Sequence, residues 1–155
     1  MSLLQITDPA GGGASTEFTP ACQTYPLCSH PICDTSLSQS ARIASLVSSL
    51  TTSEKILNMV DASAGSTRLG LPPYEWWGEA THGVGSAPGV QFTKKPNNFS
   101  YATSFPAPIL SSAAFDDELT YEIGKVVGRE GRAFGNYGFA PFDFWAPNMN
   151  AFRGG

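Results

Sequence analysis

At 155 residues the chain is about one domain long, enough to bury a sizeable core. Its nine basic and thirteen acidic residues give a net charge of −4 without a basic run, which argues against a nucleic-acid partner, since phosphate contacts need clustered Lys and Arg. No apolar run of about 18 residues is present to read as a membrane span, and 16 Gly and 12 Pro announce many turns.

Residues 1–33 read as an irregular arm. The start, MSLLQITDPAGGGAST, lacks the basic residues and long apolar segment of a secretory signal. Either a signal has been removed or this is not the natural start, and the Gly-rich part reads as a linker. Cys22, Cys28 and Cys33 with His30 form C-x5-C-x-H-x2-C. Zinc takes Cys and His, but the spacing lacks a C-x2-C pair. A local disulfide in a secreted protein is the preferred reading, with its pairing open. The sequon Asn98-Phe99-Ser100 points to the same compartment.

Ser36 to Gln39 offers a capping box, followed by Leu37, Ala41, Ala44, Leu46 and Val47 at helical spacing up to Leu50. A second box, Thr51 to Glu54, predicts another helix through Ile56, Leu57 and Val60, closed by Gly65 and Ser66. Residues 61–107 read mostly as loop, with an exposed tip at Lys94–Asn98. Ala113-Ala114-Phe115 is expected as a buried strand. The strongest helix starts at Asp116 or Asp117, with acidic residues at the positive end of its dipole. Leu119, Ile123, Val126, Val127 and Phe134 form its apolar side. Arg129, Glu130 and Arg132 read as surface or subsite contacts, with surface the default, and Gly135 and Gly138 as its end. Phe139–Ala146 is strand-like, stopped by Pro147 and leading to polar Asn148-Met149-Asn150. Strand, helix, strand predicts an α/β architecture with parallel strands.

The chemistry concentrates in Arg68–Val84, RLGLPPYEWWGEATHGV. Three rings, two carboxylates and a histidine within nine residues suit a sugar surface. The apolar face of a pyranose lies on a ring, and its hydroxyls need acceptors. The competing reading is ordinary core packing of large aromatics. Other chemistries lack their signatures. There is no G-x-S-x-G, no P-loop, no G-x-G-x-x-G after a strand and no H-E-x-x-H, and only His30 and His82 are available as bases. No cofactor or metal is expected.

Four blocks carry a resemblance: RLGLPPYEWWGEATHGV, then ATSFPAPILSSAAFDDEL, then GREGRAFGNYG, then DFWAPNMNAFR. In this order they resemble the N-terminal part of glycoside hydrolase family three, closest to its fungal β-xylosidase branch, over about Cys22 to Arg153. The resemblance implies the N-terminal part of a TIM-like (β/α)8 barrel, incomplete in residues 34–155, preceded by the disulfide-bearing arm 1–33. It implies a secreted, extracellular enzyme releasing terminal β-1,4-xylosyl units from xylo-oligosaccharides with retention, using two carboxyl groups about 5 Å apart. An α-L-arabinofuranoside or β-glucoside is the alternative substrate.

Residue by residue, Glu79 matches a glutamate that accepts hydrogen bonds from sugar hydroxyls in the −1 subsite. Trp77 matches a ring shaping that pocket, and Trp145 an aromatic lining it. His82 matches either a ligand contact or a structural hydrogen bond. Trp76 and Tyr74 are expected to pack beneath. Cys22 and Cys33 match a disulfide pair, leaving Cys28 over; Asn98 is the expected glycosylation site.

The resemblance also sets a limit. The family's W-G-R-G and E-T-P-G-E-D blocks, its lysine–histidine pair, its nucleophilic aspartate and its acid/base glutamate have no counterpart here. The carboxylates that are present, such as Glu75, Asp116, Asp117, Glu118 and Asp143, match neither reacting group. A whole barrel takes roughly 250 residues. The expectation is a chain without turnover, whose barrel the remainder of a parent enzyme completes. The rival readings are a non-catalytic secreted carbohydrate-binding protein built on Trp76, Trp77 and Trp145, and an incomplete polypeptide with no function of its own.

Overall fold

The computed structural model describes residues 21–94 and 98–146. The Gly-rich start, residues 95–97, and the segment from Pro147 through Asn148-Met149-Asn150 to the end lie outside the described residues. The arm from residue 21 is a chain of three 3-10 turns, Ala21–Gln23, Leu27–Ser29 and Pro31–Cys33. Leu27 is buried beneath them. Cys22 and Cys33 are joined by a disulfide with Cα atoms 5.3 Å apart. This takes two of the four donors a zinc site would need, and Cys28 is an exposed free thiol. The Arg42 guanidinium donates to the Ile32 carbonyl at 2.7 Å, fastening the arm to the first helix.

Helix α1 spans Gln39–Ser49 and α2 spans Thr52–Leu57. The α1 cap is Ser38, whose hydroxyl accepts from the Ala41 amide, two residues beyond the expected Ser36. Ser36 is already engaged, since both its amide and its hydroxyl donate to the Asp34 carboxylate. The Thr51–Glu54 capping box forms as the sequence predicts. Helix α2 stops at Leu57 and not at Val60. The Asn58 side chain donates to the Glu54 and Gly65 carbonyls and accepts from the Gly65 amide, folding the chain back. That fold-back leads into β1 (Ala62–Ser63), which pairs antiparallel with β2 (Tyr74–Glu75).

Helix α3 spans Pro108–Ser112, with proline pre-setting its first turn. The buried strand expected at Ala113–Phe115 is absent. These residues lead out of α3, and Phe115 is 95% exposed at φ 51°. A segment between two helix ends has no strand neighbour to pair with. Helix α4 spans Asp117–Asn136, with the Asp116 carboxylate accepting from the Leu119 amide as its cap. Gly138, at φ 75°, follows its end. Gly135 does not terminate it: it lies within the helix, where an added Cβ would stand 2.5 Å from the Phe142 ring. Gly131, one turn earlier, meets the Phe144 ring in the same way.

The core gathers on α4. Val84, Val90 and Phe134 are buried, with Phe92, Phe99, Phe139 and Phe144 packed around them. Phe134 takes the rings of Phe92 and Phe99 edge-on at 5.3 and 5.1 Å between centroids. The strand expected over Phe139–Ala146 reduces to one parallel bridge between Trp145 and Glu79, because Pro141 and the inserted rings of Phe142 and Phe144 interrupt a ladder. Among the described residues no helix is long and apolar enough to cross a membrane. Several large apolar side chains are left outside the core, including Ile56, Leu57, Ile109 and Leu110.

Candidate functional site

The Arg68–Val84 stretch is fixed by what lies behind it. Gly78 runs so close to residues 143 and 144 that a Cβ would stand 2.4 Å from the Asp143 carbonyl oxygen. The Trp145 amide donates to the Gly78 carbonyl at 2.8 Å, and the Ala80 amide to the Trp145 carbonyl at 3.3 Å. The Phe142 amide donates to the Tyr74 hydroxyl at 2.8 Å. The segment after α4 is thereby laid beside the tryptophan stretch, although some 65 residues separate them in sequence.

The adjacent tryptophans go different ways. The Trp76 indole N–H donates to the Ser63 hydroxyl at 2.9 Å, and its ring meets Tyr74 edge-on at 4.7 Å. Trp77 has its amide held by the Glu75 carboxylate at 3.0 Å and stacks on Trp145, with centroids 4.9 Å apart and planes 15° from parallel. At 36% and 51% exposure, Trp77 and Trp145 are not core residues. Trp76, expected to pack beneath the pocket residues, meets Tyr74 instead and is 48% exposed, so it is not covered.

Beside the stack lies a cleft of about 370 Å³, lined by Glu79, Thr81, His82, Gly83, Thr103 and Ser104 among others. Glu79 connects the two features, because its backbone bridges to Trp145 while its side chain lines the cleft. Thr81 donates to Glu79 Oε1 through its amide at 3.1 Å and through its hydroxyl. His82 also lines the cleft, and its carbonyl accepts from the Phe105 amide at 2.7 Å. Gly83 has φ 126°, and a Cβ there would fall 2.0 Å from the Thr103 carbonyl oxygen. The opposite wall is clamped from α4: the Glu130 carboxylate accepts from the Thr103 amide at 3.0 Å and its hydroxyl at 2.7 Å.

The structure thus brings Trp77 and Trp145 together, with Glu79 and His82 in the neighbouring cleft. Thr81 and Thr103 carry no signal as site residues in the sequence, whereas Glu130, read as a surface or subsite contact, holds the Thr103 wall of the cleft. Asp143 Oδ1 is buried without a hydrogen-bond partner. Among the described residues no group of three or more His, Cys, Asp or Glu side chains is placed to hold a metal ion.

An exo-1,4-β-xylosidase of Emericella nidulans is 53% identical over 134 residues, covering 86% of this chain and 17% of that protein. The chain is homologous to part of the fungal exo-1,4-β-xylosidases. A protein of Aspergillus terreus named “Probable exo-1,4-beta-xylosidase” is 51% identical over 142 residues, covering 92% of this chain and 18% of that protein. The solved structure of a GH3 exo-β-xylosidase, in complex with a xylobiose aziridine activity-based probe, superposes with a TM-score of 0.71 at 37% identity, over 90% of this chain and 20% of that one. No protein-family profile matches the chain. The chain therefore spans less than a fifth of the length of these xylosidase relatives.

Proposed function

We propose that this chain forms one wall of the sugar subsite of a xylosidase-like glycoside hydrolase, within the N-terminal part of a (β/α)8 barrel over residues 34–155, with 1–33 as a preceding arm. The observation that carries the reading is the exposed Trp77–Trp145 stack beside a cleft containing Glu79. Thr81 occupies Glu79 Oε1, and among the described residues Oε2 carries no hydrogen bond. That oxygen accepts from hydroxyls of a terminal xylosyl unit, while the cleft walls bound the ring. His82 contributes either a ligand contact or the backbone tie to Phe105. The parent reaction is retaining hydrolysis of terminal β-1,4-xylosyl residues from xylo-oligosaccharides. The names of the relatives favour a xyloside over an arabinofuranoside or a glucoside.

In this reading the nucleophile and the acid/base group come from the remainder of the enzyme, and the 155 residues alone have no turnover. The exposed Ile56, Leu57, Ile109 and Leu110 suit surfaces that a completed barrel would cover. Secretion is the compartment in which the Cys22–Cys33 disulfide persists.

The test replaces the matching segment of the Emericella nidulans enzyme with this chain. The chimera should hydrolyse an aryl β-xyloside, and Glu79→Gln within it should lower kcat/KM by about 100-fold or more, as loss of a charged hydrogen bond to substrate does. A Glu79→Gln chimera with undiminished kcat/KM would remove Glu79 from the subsite. Separately, hydrolysis of the same substrate by the purified 155-residue protein would overturn the assignment of catalysis to the remainder. Tight xylobiose binding by the isolated protein in calorimetry would favour the carbohydrate-binding alternative.

A further inference from the structure

A second hollow, of about 320 Å³, lies on the far side of the Glu130 clamp and is open to solvent beside the sequon. Its lining includes Asn98 itself, Phe99, Tyr101, Glu130, Phe134 and Tyr137. The floor is packed: Phe99 lies 5.1 Å from Phe134 and 4.8 Å from Tyr137 between ring centroids, and the Thr93 amide donates to the Phe99 carbonyl at 2.9 Å. The mouth is aromatic and exposed, with Tyr101 at 71% and Tyr137 at 47%. Asn98 is exposed on the turn that borders it. Isolated exposed rings need no explanation. Here two tyrosines and a carboxylate converge on the chain's single Asn-x-Ser/Thr sequon, with x not proline.

We propose that Asn98 is an N-glycan acceptor and that the first N-acetylglucosamine lies in this hollow, against Tyr101 and Tyr137. The donor is a lipid-linked oligosaccharide. The Asn98 amide nitrogen forms the bond to the anomeric carbon as the bond from that carbon to the lipid pyrophosphate breaks, and the amide gives up one proton. The step occurs on the extended chain, so the contacts of Ser100 in the folded protein do not oppose it. On folding, the apolar face of the sugar covers tyrosine rings that water otherwise wets. Glu130 keeps lone pairs beyond those that Thr103 uses, and these can accept from a sugar hydroxyl or the acetamido N–H. The hollow has room for one pyranose and is bounded by α4, so the rest of the glycan projects into solvent.

The test is secretion of the 155-residue protein from a eukaryotic host behind a cleavable leader. Mass spectrometry should find a hexosamine-based glycan on the peptide holding Asn98, lost in Asn98→Gln and in Ser100→Ala. Endoglycosidase trimming then leaves one N-acetylglucosamine. In NMR spectra of that glycoform its ring protons should shift upfield from aromatic ring currents and show cross-relaxation to Tyr101 or Tyr137, effects removed by the Tyr101→Ala, Tyr137→Ala pair. The trimmed form should also melt about 2–4 °C above Asn98→Gln, the size expected of one added contact in a chain of this length. An unmodified Asn98 in the secreted protein overturns the acceptor. Random-coil sugar shifts on an occupied Asn98 overturn the seat in the hollow, and that readout does not depend on a cooperative melt.

Discussion

The helical region, residues 34–71, and the aromatic region around Trp77 and Trp145 are held together by opposite means. In the helical region most ties close short loops: Asp34 to Ser36, Ser38 to Ala41, Thr51 to Glu54, Asn58 to Gly65. Even the widest of its Glu54 contacts, the 2.7 Å ion pair with Arg68, spans only 14 residues. The aromatic region has short ties of its own, at Glu75–Trp77 and Glu79–Thr81, but the ties that join its parts are long: Tyr74 to Phe142 across 68 residues and Glu130 to Thr103 across 27. Short polar ties need only the right side chains at the right offset and a partner not already taken, as Asp34 takes Ser36. Long ones form only after the intervening chain has been ordered, so they act together. A helix can therefore lose a cap and survive, whereas the cleft depends on several distant contacts at once.

The largest expected effect of a single substitution is Gly83→Ala. The left-handed backbone and the approach to the Thr103 carbonyl leave no room for a Cβ. Urea unfolding followed by tryptophan fluorescence should show a loss of about 3 kcal/mol or more. A loss below 0.5 kcal/mol would mean that the cleft walls do not press together as described. Next is Glu130→Ala, which leaves the Thr103 amide and hydroxyl without their acceptor, at a cost of about 1–2 kcal/mol. Hydrogen exchange at the Thr103 amide should speed up about tenfold while amides in α1 and α2 keep their rates. Equal acceleration in both regions would erase the distinction drawn between them.

Smaller and confined to the helical region is Thr51→Ala, which removes half of the capping box and should cost about 1 kcal/mol. Circular dichroism would report the loss of helix, and the near-ultraviolet signal of the stacked tryptophans should be unaltered. The mildest effect is one of pH. The Arg68 guanidinium, helped by the Ser66 hydroxyl and the Thr51 amide, holds the Glu54 carboxyl down from 4.5 to about 2. A carboxyl lowered on folding stabilises in full above its unfolded value, and the contribution disappears as pH falls from about 4.5 through about 2. The protection of α2 amides, taken relative to the intrinsic exchange rate at each pH, should therefore fall on acidification over that window, and Glu54→Gln should flatten the fall. An unchanged pH profile in Glu54→Gln would assign the acid sensitivity elsewhere.

The sequence by itself determined what depends on neighbours a few residues apart. The capping box at Thr51 and Glu54, the Asp116 cap and the start of α4 were legible because offsets of three and four residues put the partners on one helix turn. The four family blocks likewise lie in the linear order of residues and carry the xylosidase resemblance without any geometry. Tertiary structure decided the rest. Ser36 lost its cap to Asp34, and Asn58 ended α2 early through a contact with Gly65. Gly135 turned out to be a seat for the Phe142 ring and not a helix end. Above all, identical neighbours in sequence parted: Trp76 bonds to Ser63, while Trp77 stacks on Trp145. No local pattern separates those two indoles, because their partners come from β1 and from the segment after α4, and only folding brings either within reach.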